Sequence, residues 1–242
     1  MMPSCAILAG GLATRLHPIT QTVPKALLEI AGKPFIAHQL ELLRKNGVTK
    51  VILCAGYLGE RIQNVVKDGR DFDLTVQYSF DGEQLLGTGG SIKKALPLLD
   101  DPFFVMYGDS YLDIEFKPII DYYRMYQKKG LMTVFKNEGK WDTSNIVYED
   151  NKIVTYDKIK KNPDMKYIDY GLSILQKDCF ADFREGQPFD LAVVLNELVR
   201  NRQMSGYKVR KRFYEIGSFQ GLEETRAYLT DPAKINTYIE VE

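Results

Sequence analysis

The chain has 242 residues, 45% apolar and 26% charged, which allows one domain with a sizeable core and is ordinary for a soluble globular protein. Its 32 Lys and Arg balance its 32 Asp and Glu, so no charge imbalance argues for nucleic acid or a membrane surface as partner. Cys5, Cys54 and Cys179 are odd in number and widely spaced, which argues against a disulfide framework or zinc spacing and for a reducing, cytoplasmic compartment. Met1 to Ser4 leads directly into an apolar strand, so no signal peptide is read, and no apolar run approaches membrane-spanning length.

The first half alternates strand and helix. Cys5 to Leu8 reads as a buried strand ended by Gly10-Gly11. Pro34 to Asn46 reads as a helix with Pro34 at its first position and Gly47 as C-terminal cap. Strands follow at Lys50–Ala55, Leu74–Tyr78, Phe103–Tyr107 and Leu131–Phe135, with helices at Leu58–Lys67, Gly90–Leu99 and Pro118–Lys128 between them. This order predicts an α/β fold: a Rossmann-like, mostly parallel but mixed central sheet with helices on both faces, in three layers. Ligands of such sheets gather at the carboxyl ends of the strands. Gly10-Gly11, Ser79-Phe80-Asp81 and Gly108-Asp109 should therefore surround one cleft.

After about Lys136 the pattern changes. Ser144–Glu149, Ile153–Asp157, Tyr167–Leu175 and Tyr207–Tyr214 read as strands, and Leu191–Arg200 and Gly221–Leu229 as helices. No linker, low-complexity segment or repeat interrupts the chain. The expectation is one domain over 1–242 in two parts, about 1–135 and about 136–242. The apolar helices offer surfaces for a homo-oligomer, none of which the sequence singles out.

The segment Leu8-Ala9-Gly10-Gly11-Leu12-Ala13-Thr14-Arg15, continuing to Pro24-Lys25, carries most of the chemistry. Adjacent glycines let backbone amides approach an anion. Thr14 can donate a hydroxyl, Arg15 offers a planar fork for phosphate oxygens, and Lys25 a compact charge. A lone Gly-Gly pair would need no more than a tight turn, but this combination reads as a phosphate cradle. Neither the dinucleotide glycine fingerprint nor the P-loop pattern is present.

This segment resembles the signature of the sugar-1-phosphate nucleotidyltransferases, G-G-x-G-T-R-x-x-P-x-T followed by P-K, with Ala13 where the family usually has glycine. The resemblance implies that the part over about 1–135 binds nucleotide and the part over about 136–242 sugar phosphate, that Leu8 to Thr14 bind nucleotide and that Arg15 and Lys25 are catalytic. It implies Mg²⁺ held by Asp109, in the Gly-Asp pair that ends a strand, and by Glu215, where the family commonly has Asp. Ser79 and Asp81 with the Leu86-Gly87-Thr88-Gly89 stretch look like the family's base-holding loop; Thr88 also suits a cap for the helix that follows. Asp157-Lys158 resembles the family's Glu-Lys pair for sugar hydroxyl and sugar phosphate. Asn145 and Asp169-Tyr170-Gly171 resemble the stretches that line the sugar pocket.

The implied partners are a nucleoside triphosphate and a sugar 1-phosphate, with no nucleic acid and no membrane. The look of Gly32 to Phe35 and Tyr214 to Ser218 favours the heptose- and mannose-1-phosphate guanylyltransferase branch and GTP, with uridylyl or cytidylyl transfer as the alternative. A silent nucleotide-sugar-binding regulatory domain would be expected to lose Arg15, Lys25 or Asp109, and a glycosyltransferase would show a D-x-D pair that Asp109-Ser110-Tyr111 lacks. His17 and His38 are assigned no catalytic role. The chain ends soon after its last helix, so a second acyltransfer region is not expected.

Overall fold

The structure is a computed structural model that describes residues 1–160 and 162–231; the end of the expected sugar-phosphate-binding part, 232–242, lies outside them. In chain order, β1 is Cys5–Leu8, β2 Glu29–Ile30, β3 Lys33–Pro34, α1 Phe35–Lys45, β4 Lys50–Ala55, α2 Gly59–Val66 and β5 Thr75–Phe80. Then come α3 Gly87–Ala95, β6 Phe103–Tyr107, β7 Ser110–Tyr111, α4 Lys117–Tyr126 and β8 Gly130–Lys136. The second half supplies β9 Ile146–Glu149, β10 Lys152–Tyr156, β11 Tyr167–Leu175, α5 Leu191–Arg200, β12 Met204–Val209, β13 Tyr214–Glu215 and α6 Phe219–Thr230.

Nine strands form one mixed sheet in the order β10-β9-β11-β6-β1-β4-β5, with β8 beside β11 and β12 beside β8. The four strands of the first part, β6-β1-β4-β5, run parallel, whereas β11 pairs antiparallel with both β6 and β8. In register, Leu8 lies opposite Cys54 and Tyr107, and Ala55 opposite Phe80. The expected cleft follows from this register, because the residues after Leu8, Ala55, Phe80 and Tyr107 all leave the same edge.

Alternation along the strands builds two cores. Cys5 and Ile7 face the layer that holds Ile36 and Leu40 of α1, Ile62 of α2 and Ile119 of α4. Ala6, Ile52 and Cys54 face Ile92 of α3 and Leu191, Val194, Leu195 and Leu198 of α5. A third, smaller cluster joins Leu16, Leu28, Ile30, Phe35, Ile216 and Leu222. It ties the segment after β1 to the start of α6.

Most element ends fall within one or two residues of the sequence expectation, and three departures have a local physical reason. Pro34 ends β3 and caps α1 with extended backbone, so it precedes the helix and does not begin it. Helix α3 begins at Gly87, three residues before Gly90. Its first turn is pressed against Phe189, whose carbonyl accepts the amides of Gly89 and Gly90, and a side chain at Gly89 would collide with the Phe189 ring. The expected strand Tyr207–Tyr214 is two pieces. β12 starts at Met204 and follows β8 to Val209, and the Arg210–Arg212 run leaves the sheet before β13 pairs with β7.

Ile216 is fully buried in the third cluster. Ile216→Ala is expected to lower stability by about 2–5 kcal/mol through the cavity it leaves, read as a shift of the urea midpoint at constant slope.

Candidate functional site

The loop after β1 is shaped by its own backbone. Ala13 adopts a left-handed conformation, φ 50° and ψ 40°. Its carbonyl accepts two hydrogen bonds, from the buried Thr20 hydroxyl at 2.8 Å and the Leu16 amide at 3.1 Å. An alanine in this conformation costs roughly 1–2 kcal/mol, which these bonds and the burial of Leu16 offset. Gly11, Leu12, Thr14 and Arg15 face solvent along the loop, whereas Leu8, Ala9 and Gly10 sit half-buried at its base. The Leu8 carbonyl accepts the Gly108 amide at 3.0 Å, and the Ala9 amide donates to Cys54. A Cβ at Gly108 would lie 2.5 Å from the Leu8 oxygen, so only glycine admits this approach.

The turn after β6 is fixed from α1. The Gln39 amide donates to the carbonyls of Tyr107 and Ser110, at 3.0 and 2.8 Å. Asp109 lies between them. Its Oδ2 accepts from Lys25 Nζ at 2.7 Å, with side-chain exposures of 28% and 20%. Burial pushes the Asp109 carboxyl up, but the charge and hydrogen bond of Lys25 and the charge of Arg15 outweigh it and hold the group below the usual carboxylate range.

Strand β13 brings in Glu215. It pairs with β7, Glu215 opposite Ser110, and the Ile216 amide donates to the Asp109 carbonyl at 2.9 Å. A Cβ built on Gly217 would lie 2.8 Å from Glu215 Oε2, 2.9 Å from Arg15 Nη2 and 3.2 Å from Asp109 Oδ2. Two carboxylates and a guanidinium therefore converge on one point that glycine leaves open. Glu215 accepts from the Gly217 amide and the Ser218 hydroxyl at the start of α6. The space for its longer side chain exists because Gly221 has none. The Thr225 hydroxyl holds its carbonyl at 2.8 Å.

No group of three or more acidic, histidine or cysteine side chains suited to a metal is found among the described residues. A cation held by two carboxylates and by substrate phosphates needs no third such ligand, which is the habit of Mg²⁺. The donor set at Asp109 and Glu215 fits that ion.

On the second glycine loop the side chains are used internally. Asp81 accepts from the Leu86 amide at 3.1 Å and the Ser91 hydroxyl at 2.6 Å. Ser79 is buried near the end of β5. Gly87 takes φ +68° with Phe189 against it. Thr88 does not cap α3: it lies within that helix, and its hydroxyl accepts the Leu191 amide at the start of α5.

The residues expected to meet the sugar phosphate gather just before β9, just after β10 and in the first half of β11. Asn145 accepts the Asp169 amide at 3.0 Å, and Asp169 accepts from the Gly171 amide at 3.0 Å and the Tyr107 hydroxyl at 3.4 Å. Gly171, at φ +104°, lies within the irregularity of β11 between Asp169, which still pairs with Val134 of β8, and Ser173, which pairs with Met132. Burial raises the Asp169 carboxyl, and Lys158, the Gly171 amide and Tyr107 only partly offset it. Lys158 Nζ reaches Asp190 at 3.4 Å and Tyr107 Oη at 3.5 Å. Asp157 is drawn into a local turn, accepting the amides of Ile159 and Lys160.

Tyr107, Gln39, Thr20 and Asp190 were not marked by the sequence. Tyr107 could have been, since it immediately precedes Gly108-Asp109, and Thr20 too, since it is the last threonine of the loop signature; Gln39 and Asp190 act through contacts remote in sequence.

A family model described as Nucleotidyl transferase matches residues 5–230, and the chain belongs to that family. The chain is 30% identical over 213 residues to a D-glycero-alpha-D-manno-heptose 1-phosphate guanylyltransferase from Campylobacter jejuni, covering 87% of this chain and 93% of that one. It is 32% identical over 161 residues to a mannose-1-phosphate guanyltransferase from Hypocrea jecorina, covering 65% of this chain but only 44% of that longer protein; the chain thus spans about half the length of some curated relatives. In fold it is similar to a putative glucose-1-phosphate thymidylyltransferase from Bacillus anthracis, with TM-score 0.85 at 17% identity over 94% of this chain and 95% of that one.

Two outcomes follow from the geometry. Ala13→Gly relieves the left-handed alanine and is expected to stabilise the fold by about 1 kcal/mol or less, measured by urea denaturation. The lowered Asp109 carboxyl contributes stability that is complete above its unfolded value, about 3.9, and is lost as pH falls through its folded value. Asp109→Asn should therefore lose less stability than the wild type between about pH 5 and pH 2, whatever its offset at neutral pH.

Proposed function

We propose that this member of the nucleotidyl transferase family joins a nucleoside triphosphate to a sugar 1-phosphate, releasing pyrophosphate and an NDP-sugar, with GTP and a heptose or mannose 1-phosphate as its substrates. The carrying observation is the meeting of Arg15, Asp109 and Glu215 at Gly217, with Lys25 paired to Asp109. The guanylyltransferases at 30% and 32% identity support the base and the sugar. The free cysteines fit a reducing cytoplasm, and the product fits supply of a cell-surface polysaccharide. We read the chain as one domain, because strands of both halves share one sheet.

In this reading an oxygen of the acceptor phosphate attacks the α-phosphorus, and the bond to the bridging oxygen breaks as pyrophosphate leaves. The nucleophile is already anionic, so positioning and charge neutralisation carry the reaction. Backbone of Leu8 to Ala13, with Thr14 and Arg15, holds the triphosphate and the leaving pyrophosphate. Lys25 neutralises charge near the α-phosphate. Ser79, Asp81, Gly87 and Thr88 shape the base pocket, the last three by bracing it against their own chain. Lys158 holds the acceptor phosphate, while Asn145, Asp157, Asp169 and Gly171 line the sugar side. Asp109 and Glu215 would hold Mg²⁺, which supplies neutralisation of the phosphates when bound.

Pyrophosphate release measured for four nucleoside triphosphates against a panel of sugar 1-phosphates should be highest with GTP. Turnover with UTP or CTP and none with GTP overturns the base assignment. Arg15→Ala, Lys25→Ala and Asp109→Ala should each lower kcat by roughly 100-fold or more; near-wild-type rates in all three would sink the mechanism.

A further inference from the structure

We propose that Lys25 is a built-in counter-cation for Asp109, one that yields the carboxylate to a divalent ion only as a triphosphate arrives to receive the ammonium. The proposal rests on the nucleotidyl-transfer reading above. Lys25 Nζ occupies Asp109 Oδ2 at 2.7 Å, on the side of the carboxylate that also faces Arg15 and Glu215 across Gly217. Both oxygens of Glu215 are engaged by Gly217 and Ser218. A bare ion at Oδ2 would thus compete with an ammonium, and at Glu215 with two hydrogen-bond donors, with no third acidic ligand among the described residues to compensate.

The charges point the same way. Arg15, Lys25, Asp109 and Glu215 sum to zero, so a lone dication meets a neutral site and a lone triphosphate meets two carboxylates. The complex of the two neutralises both at once: the ion replaces Lys25 at Asp109, and the released ammonium meets the phosphates. Each ligand then tightens the other's binding, and by linkage the effect is reciprocal. Lys25 lies in a short helical turn, Lys25–Leu27, whose Ala26 is buried while Lys25 itself is part-exposed, so the side chain can swing without moving the backbone.

The test uses Mn²⁺ as probe, with free ion counted by its paramagnetic resonance signal, in the intact chain and without nucleotide. Lys25→Met is expected to bind Mn²⁺ at least about tenfold more tightly than the wild type, because the carboxylate loses its competitor. Adding Asp109→Asn to that variant should abolish the gain, and Lys33→Ala, which breaks the remote pair with Glu41, should change nothing. A non-hydrolysable GTP analogue should tighten Mn²⁺ binding more in the wild type than in Lys25→Met. Equal or weaker Mn²⁺ binding by Lys25→Met without nucleotide, or equal tightening of both by the analogue, overturns the proposal. If Lys25→Met does not fold, the ¹⁵N resonance of Lys25 Nζ in the wild type decides. It should stay put with Mg²⁺ alone and shift with Mg²⁺ plus analogue; a shift with Mg²⁺ alone overturns the proposal. Absence of pyrophosphate release with every triphosphate would instead count against the reaction, since the nucleotide-free metal titration does not depend on turnover.

Discussion

The site depends on a ribbon of two residues. Ser110-Tyr111 pairs antiparallel with Tyr214-Glu215, and the Ile216 amide closes onto the Asp109 carbonyl. These few backbone bonds bring together the turn that carries Asp109 and the short strand that carries Glu215. So short a pairing cannot stand alone. It is held by side chains around it: Tyr214 stacks on Tyr228 at 4.0 Å, and Asp113 accepts from both Lys211 and the Tyr228 hydroxyl. Loosening that packing would let the carboxylates drift apart without any change in their chemistry.

The cationic partners are held by a different force. The segment between β1 and α1 has little regular structure beyond short helical turns and a two-strand hairpin, and ordering it costs conformational entropy. Burial of Leu16, Leu28 and Ile30 with Ile216 and Leu222 opposes that cost. The same cluster contains the residue next to Glu215, so the apolar contacts that order the loop also set Arg15 and Lys25 against the two carboxylates. The strained Ala13 survives because its carbonyl is fixed twice and its neighbours are anchored.

The sequence was most legible where an apolar run meets a sharp stop. Cys5–Leu8, Lys50–Ala55, Phe103–Tyr107 and Tyr167–Leu175 match the expected bounds because strands buried on both faces carry a nearly unbroken apolar signature, and Leu191–Arg200 because its buried residues recur at helical spacing. The parallel register then put the loops on one edge. The glycine-rich start of α3 was illegible because low helix propensity is overridden by Phe189, which only tertiary packing supplies. The β7–β13 ribbon is too short to show a period. Of the candidate residues, those in the loop, Asp109 and Glu215 could be named from motif alone. That Asp81 would spend its carboxylate on Leu86 and Ser91, or Asp157 on its own turn, could not, since a carboxylate's partner is set by geometry.

Two aspartates show how the fold divides the labour between its halves. Asp109 and Asp169 both pay for burial, yet the first is held below the ordinary carboxylate range and the second above it. The difference is the neighbours. Asp109 touches an ammonium and feels a guanidinium, whereas Asp169 meets an amide, a phenol at 3.4 Å and a lysine shared with Asp190. Charge kept on Asp109 suits a place where cations and phosphates exchange. Asp169 is instead ringed mainly by neutral hydrogen-bond donors, whose geometry must be matched one by one. The same residue type thus meets a charged surrounding beside the turn at Gly108 and a mostly neutral one beside the irregularity at Gly171, and the neighbours that each backbone feature admits set the opposite shifts.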